Sequence, residues 1–193
     1  MFIVGQSGGD LNEYALSIAF DISTATFTGN GCTGGASGAT GAKGSAINFN
    51  AEGTKVIVLD KGANEVRESV LSTAYVITSG CTYNSANDST DLNALSGVSE
   101  AKAQGMAFND DGTKMYIVGE QHDKVYELDL SVAYDVSEET FVASFEIGDQ
   151  EKVPMGLEFS SDGKTMFVVG KSDDEINVYS LATAWSISTA QHK

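Results

Sequence analysis

The sequence predicts an all-β repeat protein, and three observations carry that expectation. A block of fourteen residues recurs as INFNAEGTKVIVLD (Ile47–Asp60), MAFNDDGTKMYIVG (Met106–Gly119) and LEFSSDGKTMFVVG (Leu157–Gly170). A second block follows each of these, as NEVRESVLSTAYVIT, DKVYELDLSVAYDVS and DEINVYSLATAWSIS, and occurs once more near the start as DLNEYALSIAFDIS. No stretch has helical periodicity for longer than a turn.

Each element follows from its residues. Met1-Phe-Ile-Val-Gly matches the end of the first block, so Gly5 falls on Asp60, Gly119 and Gly170 and the chain starts part-way through a repeat. Val56–Leu59, Met115–Val118 and Met166–Val169 are runs of β-branched, aliphatic and aromatic residues, the composition of buried strands. The Gly53, Gly112 and Gly163 turns before them are hairpin signals, because glycine supplies the positive φ such turns need. Tyr126, Leu128 and Leu130 alternate with Glu127 and Asp129, which predicts a half-buried strand. Thr140–Ile147 predicts a fourth strand. A unit is then four strands, A to D, with repeat boundaries at approximately 1–46, 47–105, 106–156 and 157–193. The matched Phe49, Phe108 and Phe159 of strand A, and the matched Phe20, Tyr75, Tyr134 and Trp185 after strand C, are candidates for packing between units, with plain core packing the preferred reading.

A unit this small cannot bury both faces of its own sheet, so neighbours must stack. Strand-only units of this size predict a β-propeller-type array of four-stranded antiparallel blades, about four units with the first and last incomplete. The order B-C-D, A-B-C-D twice, then A-B-C leaves the first unit without strand A and the last without strand D, so the two ends cannot complete one blade together. The expected resolutions are an excerpt of a longer array, an assembly whose partner subunits cover the open edges, or four blades that close with two imperfect sheets.

At Gly156–Gly170 and Glu175–Thr189, and less closely at Leu11–Thr24 and Lys124–Ser137, the chain resembles the tandem propeller repeats of marine bacteriophage virion and tail-associated proteins. It is similar, more loosely, to the YVTN-type repeats of bacterial surface proteins. The resemblance covers nearly the whole chain except the long loops. It implies a virion or an extracellular, cell-surface location. The second unit departs from the pattern: Asp60 replaces the usual glycine and Arg67-Glu68-Ser69-Val70 replaces a tyrosine-containing strand, so a less regular blade is expected there.

Composition narrows the chemistry. The net charge of −16 over 193 residues repels nucleic-acid phosphates and anionic membrane surfaces. No apolar run reaches the length of a membrane-spanning helix, and the N-terminus does not read as a signal peptide. Cys32 and Cys81 are too few for a disulfide framework, and the sequence leaves open whether they are bridged. The turns around Asp111 and Asp162 lack the ligand spacing of a calcium loop and read as turn chemistry.

The B–C connections carry Asp10, Asp123, Asp173 and Asp174, which could hold a hard cation such as calcium through oxygen ligands; turn residues are the plainer explanation. The crossovers Thr28–Ala46 and Asn84–Gln104 are the longest loops and a second place for recognition. No nucleophile elbow, phosphate loop or distinct carboxylate pair is present. The sequence therefore favours a non-enzymatic structural or adhesive module without cofactor, partnered by protein subunits of an assembly or by a host-surface glycan. A carbohydrate- or calcium-binding propeller and a propeller hydrolase or lyase are the alternatives.

Overall fold

The computed structural model describes residues 1–5, 10–32, 43–83, 88–100, 102–172 and 174–193. It divides into two compact units, Met1–Ser89 and Thr90–Lys193. In the first unit one sheet has the order β1 (Phe2–Val4), β2 (Leu11–Leu16), β3 (Ala25–Gly31), and the next the order β4 (Gly44–Phe49), β5 (Lys55–Asp60), β6 (Glu65–Leu71), β7 (Cys81–Thr82). A short strand, β8 (Ser89–Asp91), lies at the boundary. The second unit begins with the sheet of β9 (Ala103–Phe108), β10 (Lys114–Gly119), β11 (Lys124–Leu130) and β12 (Glu139–Glu146). It ends with that of β13 (Pro154–Phe159), β14 (Thr165–Gly170), β15 (Ile176–Leu181) and β16 (Ala190–His192). The chain is all-β, with four small antiparallel sheets as β-propeller blades and, among the described residues, only short 3-10 turns besides.

One expectation about the strands is corrected. The last sheet has its fourth strand: β16 pairs with β15 through Tyr179 to His192, Ser180 to Gln191 and Leu181 to Ala190. The sequence hid it because these three residues have no apolar run of their own.

The A–B hairpins are built alike. The residue three before the glycine caps the turn: Asn50, Asn109 and Ser160 accept the backbone N–H of Lys55, Lys114 and Thr165 at 2.7, 2.9 and 3.0 Å. Asp111 and Asp162 accept the N–H of Thr113 and Lys164 at 2.9 and 3.0 Å, so these carboxylates serve their own turns. The glycine at the tip has φ near +70° and lies under the aromatic ring that follows strand C. A Cβ at Gly53, Gly112 or Gly163 would come within 2.2, 2.0 or 2.4 Å of Tyr75, Tyr134 or Trp185. The aromatic N–H donates to the glycine carbonyl at 2.8, 2.9 and 2.8 Å. The same rings stand 5.6, 5.3 and 5.4 Å from Phe49, Phe108 and Phe159. Tyr75, Tyr134 and Trp185 thus pair within their own blades, as plain core packing predicts, whereas Phe20 is exposed.

Packing between blades uses the strand-A phenylalanine. In the first unit Phe2 meets Phe49 at 4.5 Å, and in the second Tyr116 meets Phe159 at 4.4 Å. Around them lie two cores, Leu11, Val56, Val58, Leu71 and Ile77 in the first unit, and Tyr116, Val118, Val125, Leu157, Met166, Val168 and Ile187 among others in the second. The first unit also holds a disulfide between Cys32, just after β3, and Cys81 in β7, with Cα atoms 5.3 Å apart. It ties two neighbouring sheets together.

β11 is more buried than alternation predicts, because Glu127 is only 1% exposed. One carboxylate oxygen accepts from Lys114 Nζ at 2.7 Å, and the other accepts from the backbone N–H of Ile187, in the next blade, at 3.0 Å. Glu13 in β2 does the same for Ile77 N–H at 3.0 Å. A charge that looked solvent-facing thus stitches one blade to the next.

Candidate functional site

Two of the cation candidates fall at described hairpin positions. Asp123 and Asp174 have φ of +51° and +54°, and Asn64 sits at the matching turn with +58°. Short polar side chains tolerate that left-handed conformation, so local geometry already accounts for the residue type. Asp10 immediately precedes β2, where Asn30 Nδ2 approaches its carboxylate at 3.5 Å. Asp173 lies outside the described residues. Among the described residues no three His, Cys, Asp or Glu side chains converge as a metal site. Asp123 Oδ1 is buried without a hydrogen-bond partner. Burial, then the charges of Glu146 and Glu151, push its carboxyl above the usual aspartate range.

In the third and fourth blades, backbone N–H groups of these hairpins already have anionic partners. Glu100, fully buried in the loop before β9, accepts from the N–H groups of Gln121 and His122 at 3.1 and 3.3 Å. Glu151, fully buried before β13, accepts from Ser172 N–H at 3.0 Å and Val153 N–H at 2.7 Å. Burial alone would raise the Glu151 pKa, but hydrogen bonds from Ser172, Val153 and Lys152 outweigh it and hold the carboxyl below the usual glutamate range. Gly119 and Gly170 leave the room: a Cβ at either would lie 2.3 or 2.1 Å from the glutamate carboxyl carbon.

In the second blade Asp60 itself occupies the glycine position, and its Oδ1 accepts from Gly62 and Ala63 N–H at 2.8 and 3.4 Å. The expected irregularity is therefore a relocation of the same carboxylate from loop to strand. Arg67 also approaches Asp60 Oδ2 at 3.5 Å. Sequence reasoning missed these groups, although the exchange of Gly119 for Asp60 was a signal.

The surface with the clearest capacity to bind is the outer face of the last sheet. Gly112 and Gly163 are 51 residues apart, and at that spacing Tyr116, Val118 and Val125 correspond to Phe167, Val169 and Ile176. The first three are fully buried against the following blade. The second three are 37%, 46% and 66% exposed. Gly105 and Gly156 also correspond. A Cβ at Gly105 would lie 2.8 Å from the Gly156 Cα, so the blades close on each other there, whereas a Cβ at Gly156 would meet only Val169 of its own sheet, at 3.3 Å. The missing side chain at Gly156 helps to open a cavity of about 240 Å³ bounded by Leu157, Glu158, Phe167, Val169 and Ile176. One position differs: Val178 stands where Glu127 and Glu13 supply their carboxylates.

Neither a family model nor a curated protein matches the chain. Solved structures share its fold. A Lactobacillus plantarum protein matches with a TM-score of 0.59 at 13% identity, over 96% of this chain and 50% of its own. The Pseudomonas aeruginosa periplasmic gluconolactonase PpgL matches at 0.57 and 13%, over 99% and 51%. The Cps50 (Swd1) β-propeller domain of Myceliophteria thermophila matches at 0.53 and 15%, over 94% and 50%. The chain thus spans about half the length of these structures. At such identities the likeness is one of fold, and the fold is a β-propeller one.

Proposed function

We propose that this chain is a non-enzymatic structural or adhesive propeller module of a virion or cell-surface assembly, and that a second copy docks on the outer face of its last sheet. The observation that carries the reading is the exposure of Phe167, Val169 and Ile176 at positions that the preceding blade buries. Exposed apolar residues gathered around a cavity mark an interaction surface. The second copy is favoured because the first sheet exposes Met1, Ile3 and Ile22 at 37%, 44% and 74%. Their counterparts Met166, Val168 and Ile187 are the residues that cover a blade face inside the second unit. Head-to-tail pairing of two such surfaces propagates into a ring or filament.

The virion or surface location takes its support from the repeat resemblance and from the Cys32–Cys81 bridge, which suits an oxidising compartment. The charge of −16 argues against nucleic acid and membrane partners. Sedimentation velocity over a concentration series tests the docking. Species heavier than the 20.2 kDa chain should appear and should vanish with Phe167→Asp. A chain that stays monomeric at high concentration overturns the reading.

A lactone hydrolase is the second reading, supported by the likeness to PpgL; turnover of a gluconolactone by the purified chain would favour it. A calcium-binding propeller is a third, supported by the unpartnered Asp123 Oδ1. Calorimetry with calcium, repeated on Asp123→Asn, separates it from the other two.

A further inference from the structure

Each unit holds one seam between two sheets, and the two seams are closed by different means at the same place. In the second unit Phe145 of β12, opposite Val125, packs edge-on against Tyr179 of β15, opposite Met166, with ring centroids 5.5 Å apart. The residues at those positions in the first unit are Gly31, opposite Leu11, and Ser69, opposite Val56. Neither carries a ring. A Cβ at Gly31 would lie 2.0 Å from the Ile77 carbonyl oxygen, and the Ser69 hydroxyl is buried without a hydrogen-bond partner. The Cys32–Cys81 bridge, which begins one residue past Gly31, joins the sheets instead. Cys81 pairs with Leu71 as Ala190 pairs with Leu181. A contact between rings is permanent, whereas a disulfide is made and broken by thiol exchange.

The rest of the first seam does not depend on the bridge. Glu13 accepts the Ile77 N–H at 3.0 Å, and Leu11, Val56, Val58, Leu71 and Ile77 form the core around it. What the bridge adds is a hold on β7. That strand is two residues long and pairs with β6 at Val70–Thr82 and Leu71–Cys81. Ser72 N–H donates to the Gly80 carbonyl at 3.1 Å, so the alternation of an antiparallel ladder makes Val70 and Thr82 the next bonded pair. Gly80, with φ of +110°, stands at one end of this segment. At the other end Tyr83 lies 5.9 Å from the Arg67 guanidinium. The two sulfurs differ in access: Cys32 is 6% exposed, whereas Cys81 is half-buried. Both lie near the Ile77 carbonyl oxygen, at 3.8 and 3.9 Å.

We infer that the Cys32–Cys81 bridge is a redox latch on β7, opened in the folded protein by a dithiol reductant. One thiolate of the reductant attacks Cys81 Sγ, the more accessible sulfur. The S–S bond breaks, and Cys32 leaves as a thiolate that takes up the proton the reductant gave up. The second thiol, as its thiolate, then attacks the mixed disulfide, which frees Cys81 and closes the reductant into its own disulfide. Two electrons pass from the dithiol to the bridge. Opening releases Gly80–Thr82 from the β6 edge and leaves the Glu13–Ile77 bond in place. The Cys32 thiol keeps the Ile77 carbonyl as an acceptor, so the buried half of the latch stays set for reclosure. The latch is open in a reducing compartment and closed in an oxidising one, which ties the edge of β6 to the redox state of its surroundings.

Dithiothreitol added to the native chain, followed by alkylation and mass spectrometry, tests this: the bridge should be reduced without denaturant. With glutathione in its place, the trapped mixed disulfide should sit on Cys81. Hydrogen exchange in the reduced protein should speed up roughly tenfold or more at the amides of Ser72 and Thr82, while the Ile77 amide, held by Glu13, changes far less. Oxidised glutathione should restore the original pattern. The double variant Cys32→Ser, Cys81→Ser should show the reduced pattern with no reductant present, and protection at Val168 and Tyr179 reports that it folds. A bridge that yields only in denaturant, an adduct on Cys32, or exchange at Ile77 that rises as much as at Thr82 would overturn the inference. The deciding readouts all lie in the first unit, so they stand apart from docking at the last sheet.

Discussion

The third and fourth blades carry the same face into opposite surroundings. On the third, Tyr116, Val118 and Val125 are covered by the next blade, and the Tyr116 hydroxyl donates to the Trp185 carbonyl at 2.5 Å. On the fourth, Phe167, Val169 and Ile176 are exposed, uncovered by the other blade of their own unit, and still apolar. A solvated strand face ordinarily alternates to polar residues. The fourth face keeps the residue types of a junction and loses only the junction's carboxylate, at Val178. Apolar composition therefore does not distinguish these faces; what distinguishes them is whether a blade of the same unit covers them.

The largest test of that comparison is truncation. Tyr116→Ala should cost about 3–5 kcal/mol in chemical denaturation, because it empties a packed junction, whereas Phe167→Ala should stay within about 0.5 kcal/mol. Equal costs would break the comparison. Reduction of the Cys32–Cys81 bridge, whose partners are 49 residues apart, should remove about 4 kcal/mol on loop-entropy grounds. Hydrogen exchange should place the loss in the first unit and leave the Tyr116 junction unchanged.

Glu127→Gln should cost about 2 kcal/mol by weakening the bond to Ile187 N–H and leaving Lys114 with only Asp129. The complementary Val178→Glu should be close to neutral in the monomer, yet should tighten head-to-tail association by restoring an acceptor for the Ile22 N–H of a second copy. Looser association would instead mean that the outer face uses a different geometry.

The smallest effects are electrostatic and opposite in sign. The folded pKa of Glu151 is lowered from 4.5, so its stabilisation is complete above pH 4.5 and fades as pH falls through the lower folded value. Glu151→Gln should flatten that acid limb while lowering stability at neutral pH. Asp123 has a raised folded pKa, so stability increases as pH falls through that value. Asp123→Asn should gain about 0.5 kcal/mol or less at neutral pH. Thermal melts of both variants between pH 3 and 7 check these signs.

The blades were legible because Phe49, Phe108, Phe159 and the hairpin glycines keep a fixed spacing, and a strand's burial is written in its own residues. β16 was not legible, because three residues of a pairing strand need no apolar pattern when the ladder supplies the energy. Glu127 misled because alternation assumes that charge means solvent, and here a backbone N–H and a lysine outweigh that. The Cys32–Cys81 bridge depends on the approach of two sheets, which spacing alone does not encode. The exposed last face was invisible because its residues are of the same apolar types as those of a buried junction.

Asp60 has one further consequence. In the third and fourth blades the crossover loop must deliver a glutamate to a fixed point under the B–C hairpin, so its path and composition are constrained. In the second blade the strand delivers the acid itself, and the crossover before β4 is relieved of that duty. Residues 33–42 contain no acidic side chain at all. Moving one carboxylate thus lifts from the sequence before β4 the requirement to supply an acid that the third and fourth blades impose.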